Sequence, residues 1–296
     1  MRSGVPSRVV VLGGGGFVGR HIAAAFADRS PEVEYVAPSR SEVDLLGRDA
    51  SRRVADLLSA DSVLVVAAAV KKELGDTVDT FESNIAIGTA VCRALELVPV
   101  SKVVYVSSVS VYGDDVADTA IAESTPISPS SYYGIAKCCV EQLILQALGG
   151  ETERLIVLRP PAIYGPGDTV EAYGPSGFVK AASAGRRITL WGDGTETREF
   201  LYVGDLAEII RRLALSDASG VVNAVSGVSH SYCEVLDAIA SALGARPAVE
   251  SRSRTRPRVD TGYDGGRLQG LLDDFEFTSL ADGIRLTVCA EAALSD

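Results

Sequence analysis

Val9-Val10-Val11-Leu12-Gly13-Gly14-Gly15-Gly16-Phe17-Val18-Gly19 decides how this chain is read. A β-branched run ends in glycines spaced three apart, and apolar residues at Phe17, Val18, Ile22 and Phe26 follow at once. The pattern predicts a strand, a tight turn and a helix. Glycines in such a turn let backbone approach a pyrophosphate, and the helix N-terminus offers free N–H groups and a positive dipole end.

Outward from this unit, strand and helix alternate. Strands are expected over 9–12, 33–37, 63–69, 102–107 and 154–159, and helices over 16–27, 50–59, 82–97 and 132–148. Near-continuous apolar strands between helices imply a parallel sheet covered on both faces, an α/β Rossmann-type doubly wound fold. After Pro160-Pro161 the texture becomes turn-rich. A helix is expected over 178–184, strands over 188–191 and 199–203, a helix over 205–215 with Asp205 as N-cap, and another over 232–243. The expected division is a dinucleotide-binding domain of residues 1–164 plus about 199–225, and a smaller interrupted substrate lobe of about 165–198 and 226–296.

The chain has 296 residues and a net charge of −11, so no basic excess exists to neutralise a nucleic-acid backbone. No apolar run approaches the length of a membrane span, and the first apolar run is the first strand rather than a signal-peptide core. Cys92, Cys138, Cys139, Cys233 and Cys289 show no metal-like spacing with His21 or His230 and read as small hydrophobes in a reducing cytoplasm. No metal and no nucleic-acid or membrane partner is expected.

Tyr133-Gly134-Ile135-Ala136-Lys137 puts a phenol and an ammonium on one helix face, a turn apart. A nearby ammonium favours the phenolate and is expected to pull the phenol toward working pH, where it can move protons. The strand 103–107 runs into Ser108-Val109-Ser110-Val111-Tyr112-Gly113. A serine at that strand end suits a hydrogen bond to a substrate oxygen. Ser107 and Ser110 compete with Ser108, and strand alternation cannot separate 108 from 110.

With these residues in view, the chain resembles an extended short-chain dehydrogenase/reductase of the NAD-dependent epimerase/dehydratase family. Five motifs carry the resemblance in order: Gly13/Gly16/Gly19; Ser107-Ser108 with Tyr112-Gly113; Tyr133 with Lys137; Arg159-Pro160 with Tyr164-Gly165-Pro166; and Gly192-Asp193-Gly194 with Arg198-Glu199-Phe200, Val203 and Asp205. The resemblance selects Ser108, four residues before Tyr112, as catalytic beside Tyr133 and Lys137. It implies an enzyme acting on nucleotide-diphosphate sugars with a tightly held NAD or NADP. Implied cofactor contacts are Gly13, Gly16, Phe17, Val18, Gly19, Ser39, Arg40, Asp44, Ala67, Ala68, Lys137, Pro160 and Ile163. Implied substrate contacts are Ser108, Ser110, Tyr133, Arg198 and Arg256, the arginines suiting a pyrophosphate. Arg252, Arg254 and Arg258 read as a solvated basic loop.

Family dehydratases carry Thr-Asp-Glu where this chain has Ser108-Val109-Ser110, so 4,6-dehydration is not expected. NAD-preferring members usually place an aspartate after the second strand. Here Ala37-Pro38-Ser39-Arg40 stands there and suits a 2′-phosphate, as in NADPH-using keto-sugar reductases. The expectation is hydride transfer at hexose C4, with NADPH-dependent 4-keto reduction placed ahead of NAD-dependent 4-epimerisation. Some epimerases carry an asparagine where Ala162 stands, which leaves the sugar open. A non-catalytic dinucleotide-binding sensor or scaffold is the alternative from another class. Relatives pair the helices over 82–97 and 132–148 between copies, so a homodimer is also expected.

Overall fold

In the computed structural model, residues 6–114, 116, 118–169, 173–254 and 257–293 are described. The chain runs β1 (Arg8–Leu12), α1 (Phe17–Arg29), β2 (Glu34–Val36), α2 (Ala50–Ala55), β3 (Val63–Val66), α3 (Val78–Leu97), β4 (Lys102–Val106), α4 (Tyr132–Ala147) and β5 (Leu155–Arg159). It continues through β6 (Ala162–Tyr164), α5 (Pro175–Ser183), β7 (Ile188–Trp191), β8 (Thr197–Tyr202), α6 (Val203–Ala214) and β9 (Gly220–Asn223). Last come β10 (Ser229–Ser231), α7 (Tyr232–Leu243), β11 (Val249–Arg252), α8 (Gly266–Leu271) and α9 (Leu280–Ala293).

The chain divides into two compact units, the first comprising residues 1–114, 125–160 and 206–224. It holds a six-stranded sheet in the order β2-β1-β3-β4-β5-β9, every neighbouring pair parallel. Val10, Leu12, Leu64, Val66, Val103, Tyr105, Leu155 and Val157 enter one cluster with Val54 of α2, Val91 and Leu95 of α3, and Val140 and Ile144 of α4. The alternate residues, Val9, Val11, Val65, Val104, Ile156 and Leu158, are equally buried, as a sheet covered on both faces requires. This is the expected doubly wound sheet. Its order reverses between β1 and β3, which places the ligand crevice of such folds at the carboxyl ends of those strands.

The second unit comprises 115–124, 161–205 and 225–296. It contains the sheet β10-β8-β6 and the parallel pair β11-β7. Tyr164, Phe178, Phe200, Tyr232, Val235, Ile239, Ile284 and Val288 form its core with α5, α7 and α9. Relative to the expected boundaries, residues 161–164 and 199–205 lie in this second unit, together with a short excursion at 115–124.

Two local expectations are corrected. α3 starts at Val78, before the apolar face begins, because Thr77 and Thr80 form a reciprocal capping box. Asp205 is not an N-cap, since α6 starts two residues earlier; its carboxylate instead accepts from the Thr278 N–H (2.8 Å) and hydroxyl (2.7 Å). Among the described residues, no helix is long and apolar enough to cross a membrane, and no cluster of metal-ligating side chains occurs.

Candidate active site

The glycine turn is built from close contacts. Gly13 has φ +92°, and a Cβ there would fall 2.7 Å from the backbone nitrogen of Ala68. A Cβ on Gly19 would fall 2.1 Å from the Gly13 carbonyl oxygen. Glycine at both positions therefore lets the turn, α1 and the strand end at Ala67-Ala68 share one small space. Ala67 itself donates to the Leu12 carbonyl (2.9 Å), and Gly16 to that of Gly13 (2.9 Å). Nothing caps α1 from a side chain at Gly16, and the opening N–H groups of a helix have no intrahelical partner. Phe17 is buried, with Lys71 Nζ 4.8 Å from its ring centre, while Gly15 is open to solvent. An uncapped helix start beneath a glycine turn fits a dinucleotide pyrophosphate.

After β2, the Ser39 N–H and hydroxyl both donate to Glu42 Oε2 at 2.7 Å. These bonds, the backbone one first, hold the Glu42 carboxyl below its ordinary range. Arg40 is largely exposed and faces Asp44 at 3.7 Å.

The catalytic candidates gather at the end of β4. The strand stops at Val106, and Val109–Val111 forms a 3-10 turn, so alternation no longer governs 107–110. Ser107 turns inward to donate to buried Glu141, which removes it from contention. Ser108 begins the turn and accepts from the Ser110 N–H (3.2 Å). The Val109 N–H donates to the Pro160 carbonyl (3.0 Å), tying the turn to the end of β5. Ile163 lies on β6, in the second unit.

α4 presents Tyr133 and Lys137. Ser131 caps it by accepting from the Gly134 N–H (3.2 Å), and Asp76 accepts from the Tyr133 N–H (2.9 Å). Gly134 lies against the serine turn: a Cβ there would fall 2.5 Å from the Ser110 carbonyl oxygen. Lys137 is buried, donates to the Val106 carbonyl (2.7 Å), and holds Nζ 5.6 Å from the Tyr133 ring centre and 5.0 Å from that of Tyr105. Burial pushes the Lys137 ammonium down to about 8, against the opposing pull of Glu141. Burial also raises the Tyr133 phenol, with the Glu73 carboxylate adding to it and a hydrogen bond with Ser108 acting the other way. Lys137 does not figure among these influences, so the expected downward pull on the phenol is not found and burial dominates.

Glu141 went unread in the sequence. It forms a buried bidentate pair with Arg159 (2.6 and 3.1 Å), and Arg159 donates to the Tyr112 hydroxyl (2.9 Å), which donates to Asn223 (2.7 Å). This network ties α4, β5, β9 and the turn after β4 beneath the serine.

In the second unit, Arg198 on β8 pairs with Glu196 and donates to the Thr197 (3.1 Å) and Val259 carbonyls. Arg254 is not the solvated side chain expected: it is 19% exposed and pairs with Glu196 and with Asp193 (3.2 Å). Arg258 is half exposed and pairs with Asp260 (2.8 Å). Arg256 lies outside the described residues.

A family model, the NAD dependent epimerase/dehydratase family, matches residues 9–225. The chain belongs to this family of enzymes. It is 28% identical over 272 residues to a UDP-glucose 4-epimerase of Mycolicibacterium smegmatis, covering 88% of this chain and 84% of the relative. A shorter match, 32% identical, covers 45% of this chain and 42% of a dTDP-4-dehydro-6-deoxy-D-allose reductase of Streptomyces bikiniensis. Among solved structures, the Thermus thermophilus UDP-glucose 4-epimerase in complex with NAD superposes with a TM-score of 0.81 at 27% identity, covering 96% of this chain and 99% of that one.

Proposed function

We propose that this enzyme is an NAD-dependent 4-epimerase of a nucleotide-diphosphate hexose. The observation that carries the reading is the Glu42 carboxylate seated on Ser39 after β2. An anion there repels a ribose 2′-phosphate and suits the bare hydroxyls of NAD. This reverses the order that Ser39 and Arg40 suggest from sequence alone. The epimerase named as a complex with NAD supports the same side. A bound nicotinamide dinucleotide supplies the hydride acceptor and donor.

The chain's own residues do the rest. Gly13, Gly16 and Gly19 admit the pyrophosphate to the start of α1. The Ser108 hydroxyl orients the hexose O4. The Tyr133 phenol passes a proton to and from that oxygen, with Lys137 beside it on the same helix face. Arg198 holds the substrate diphosphate. Leu97 of α3 and Tyr132, Ile135 and Leu143 of α4 are exposed apolar side chains and support a homodimer through these helices.

NADPH-dependent 4-keto reduction is the second reading, favoured by exposed Arg40. Native mass spectrometry of the purified protein, paired with UDP-glucose and UDP-galactose interconversion, decides between them. Retained NAD and interconversion without net nicotinamide oxidation are expected. An empty protein that consumes NADPH with a 4-keto nucleotide sugar overturns the epimerase reading.

A further inference from the structure

Two carboxylates already occupy the guanidinium groups that a diphosphate needs. Arg198 Nη2 pairs with Glu196 Oε1, and Arg254 Nη1 pairs with Glu196 Oε2. One carboxylate thus spans two guanidiniums, an oxygen to each, as two oxygens of a phosphate group do. Asp193 takes the second arm of Arg254 at 3.2 Å. Arg254 is laid across Gly192, where a Cβ would fall within 2.1 Å of its Nε, so its position is packed rather than free. Glu196 is 16% exposed, Arg254 19% and Arg198 25%, which limits solvent screening among these three, while Asp193 is 68% exposed. Two positive and two negative side chains sum to zero, so an approaching diphosphate meets no net attraction while Glu196 stays in place.

We infer that Glu196 is a built-in counter-ion displaced by a substrate phosphate, and that Arg254 is the second guanidinium so released, beside Arg198. Glu196 then sets how tightly the enzyme holds its nucleotide and how readily product leaves. The inference rests on the nucleotide-sugar reading and adds to it the residue that tunes affinity.

Calorimetric titration of the full chain with UDP, at fixed ionic strength, tests it. Glu196→Gln is expected to bind UDP about fivefold or more tightly than the wild type, because the competing charge is gone, and Arg254→Gln to bind it at least about fivefold more weakly. In steady state, Glu196→Gln lowers KM without raising kcat. Where Glu196→Gln does not fold, Glu196→Asp serves: its shorter arm cannot span both guanidiniums, and tighter UDP binding is again expected. Unchanged or weaker binding in the Glu196 variant overturns the inference alone and makes Glu196 an orienting group. Failure of UDP, dTDP and GDP alike to bind any of these proteins overturns the inference together with the nucleotide-sugar reading.

Discussion

On the proposed mechanism, removal of the Tyr133 hydroxyl separates chemistry from binding. Phenylalanine keeps the ring on α4 and deletes only the hydroxyl proposed to move the proton. Turnover of Tyr133→Phe should fall by about 10²–10⁴-fold, the usual share of a general acid–base group. Its dinucleotide affinity, read by fluorescence titration, should stay within a few-fold of wild type; full activity in this variant would remove Tyr133 from the mechanism. The pairing of Tyr133 with Lys137 was legible because both sit within one helical turn, where spacing alone sets the face. The resemblance selects Ser108 over Ser107, but the physical reason was not legible. It depends on Glu141, 34 residues away in sequence, which takes the Ser107 hydroxyl into the buried network. The strength of Lys137 was equally hidden, because burial and the Val106 carbonyl act on it only after folding.

The contact between α4 and the turn after β4 rests on the missing side chain at Gly134. Its Cβ would meet a backbone oxygen 2.5 Å away, which has no rotamer to yield. Gly134→Ala should therefore shift the first turn of α4 off Ser110 and lower kcat by about tenfold or more, since displacements near 1 Å cost reactions this much. Circular dichroism should show the fold retained. Strand positions were readable from runs such as Val63–Val66, since a buried parallel strand is apolar throughout. Helix starts were less so. Thr77 and Thr80 cap α3 without the acidic residue that marks a capping box in sequence, and Pro175 opens α5 ahead of its first large apolar residue.

At the scale of the molecule, Glu199 links stability to pH. Its carboxyl is buried in β8, with Oε1 accepting from Ser226 and Gly227 and Oε2 without a partner among the described residues. Burial, opposed by those bonds, raises it from 4.5 to about 7. The folded state thus holds a proton that the unfolded chain releases, so this contribution is complete below about 4.5 and is lost as pH rises through about 7. Melting temperature across that window should decline less for Glu199→Gln than for wild type; parallel curves would remove Glu199 as the cause. The doubly wound sheet was legible from alternation of elements, whereas assignment of 115–124 to the second unit was not, because nothing in that segment's composition differs from a surface loop. The sheet order β2-β1-β3-β4-β5-β9 also has a consequence for solubility. Its borders are strands of three and four residues, and Glu34 on β2 is clasped by Arg8 from the neighbouring strand. Borders this brief, one of them salted with charge, offer little template for a foreign strand to zip onto, so crowding in a concentrated solution should not seed fibrils from the edges of this sheet.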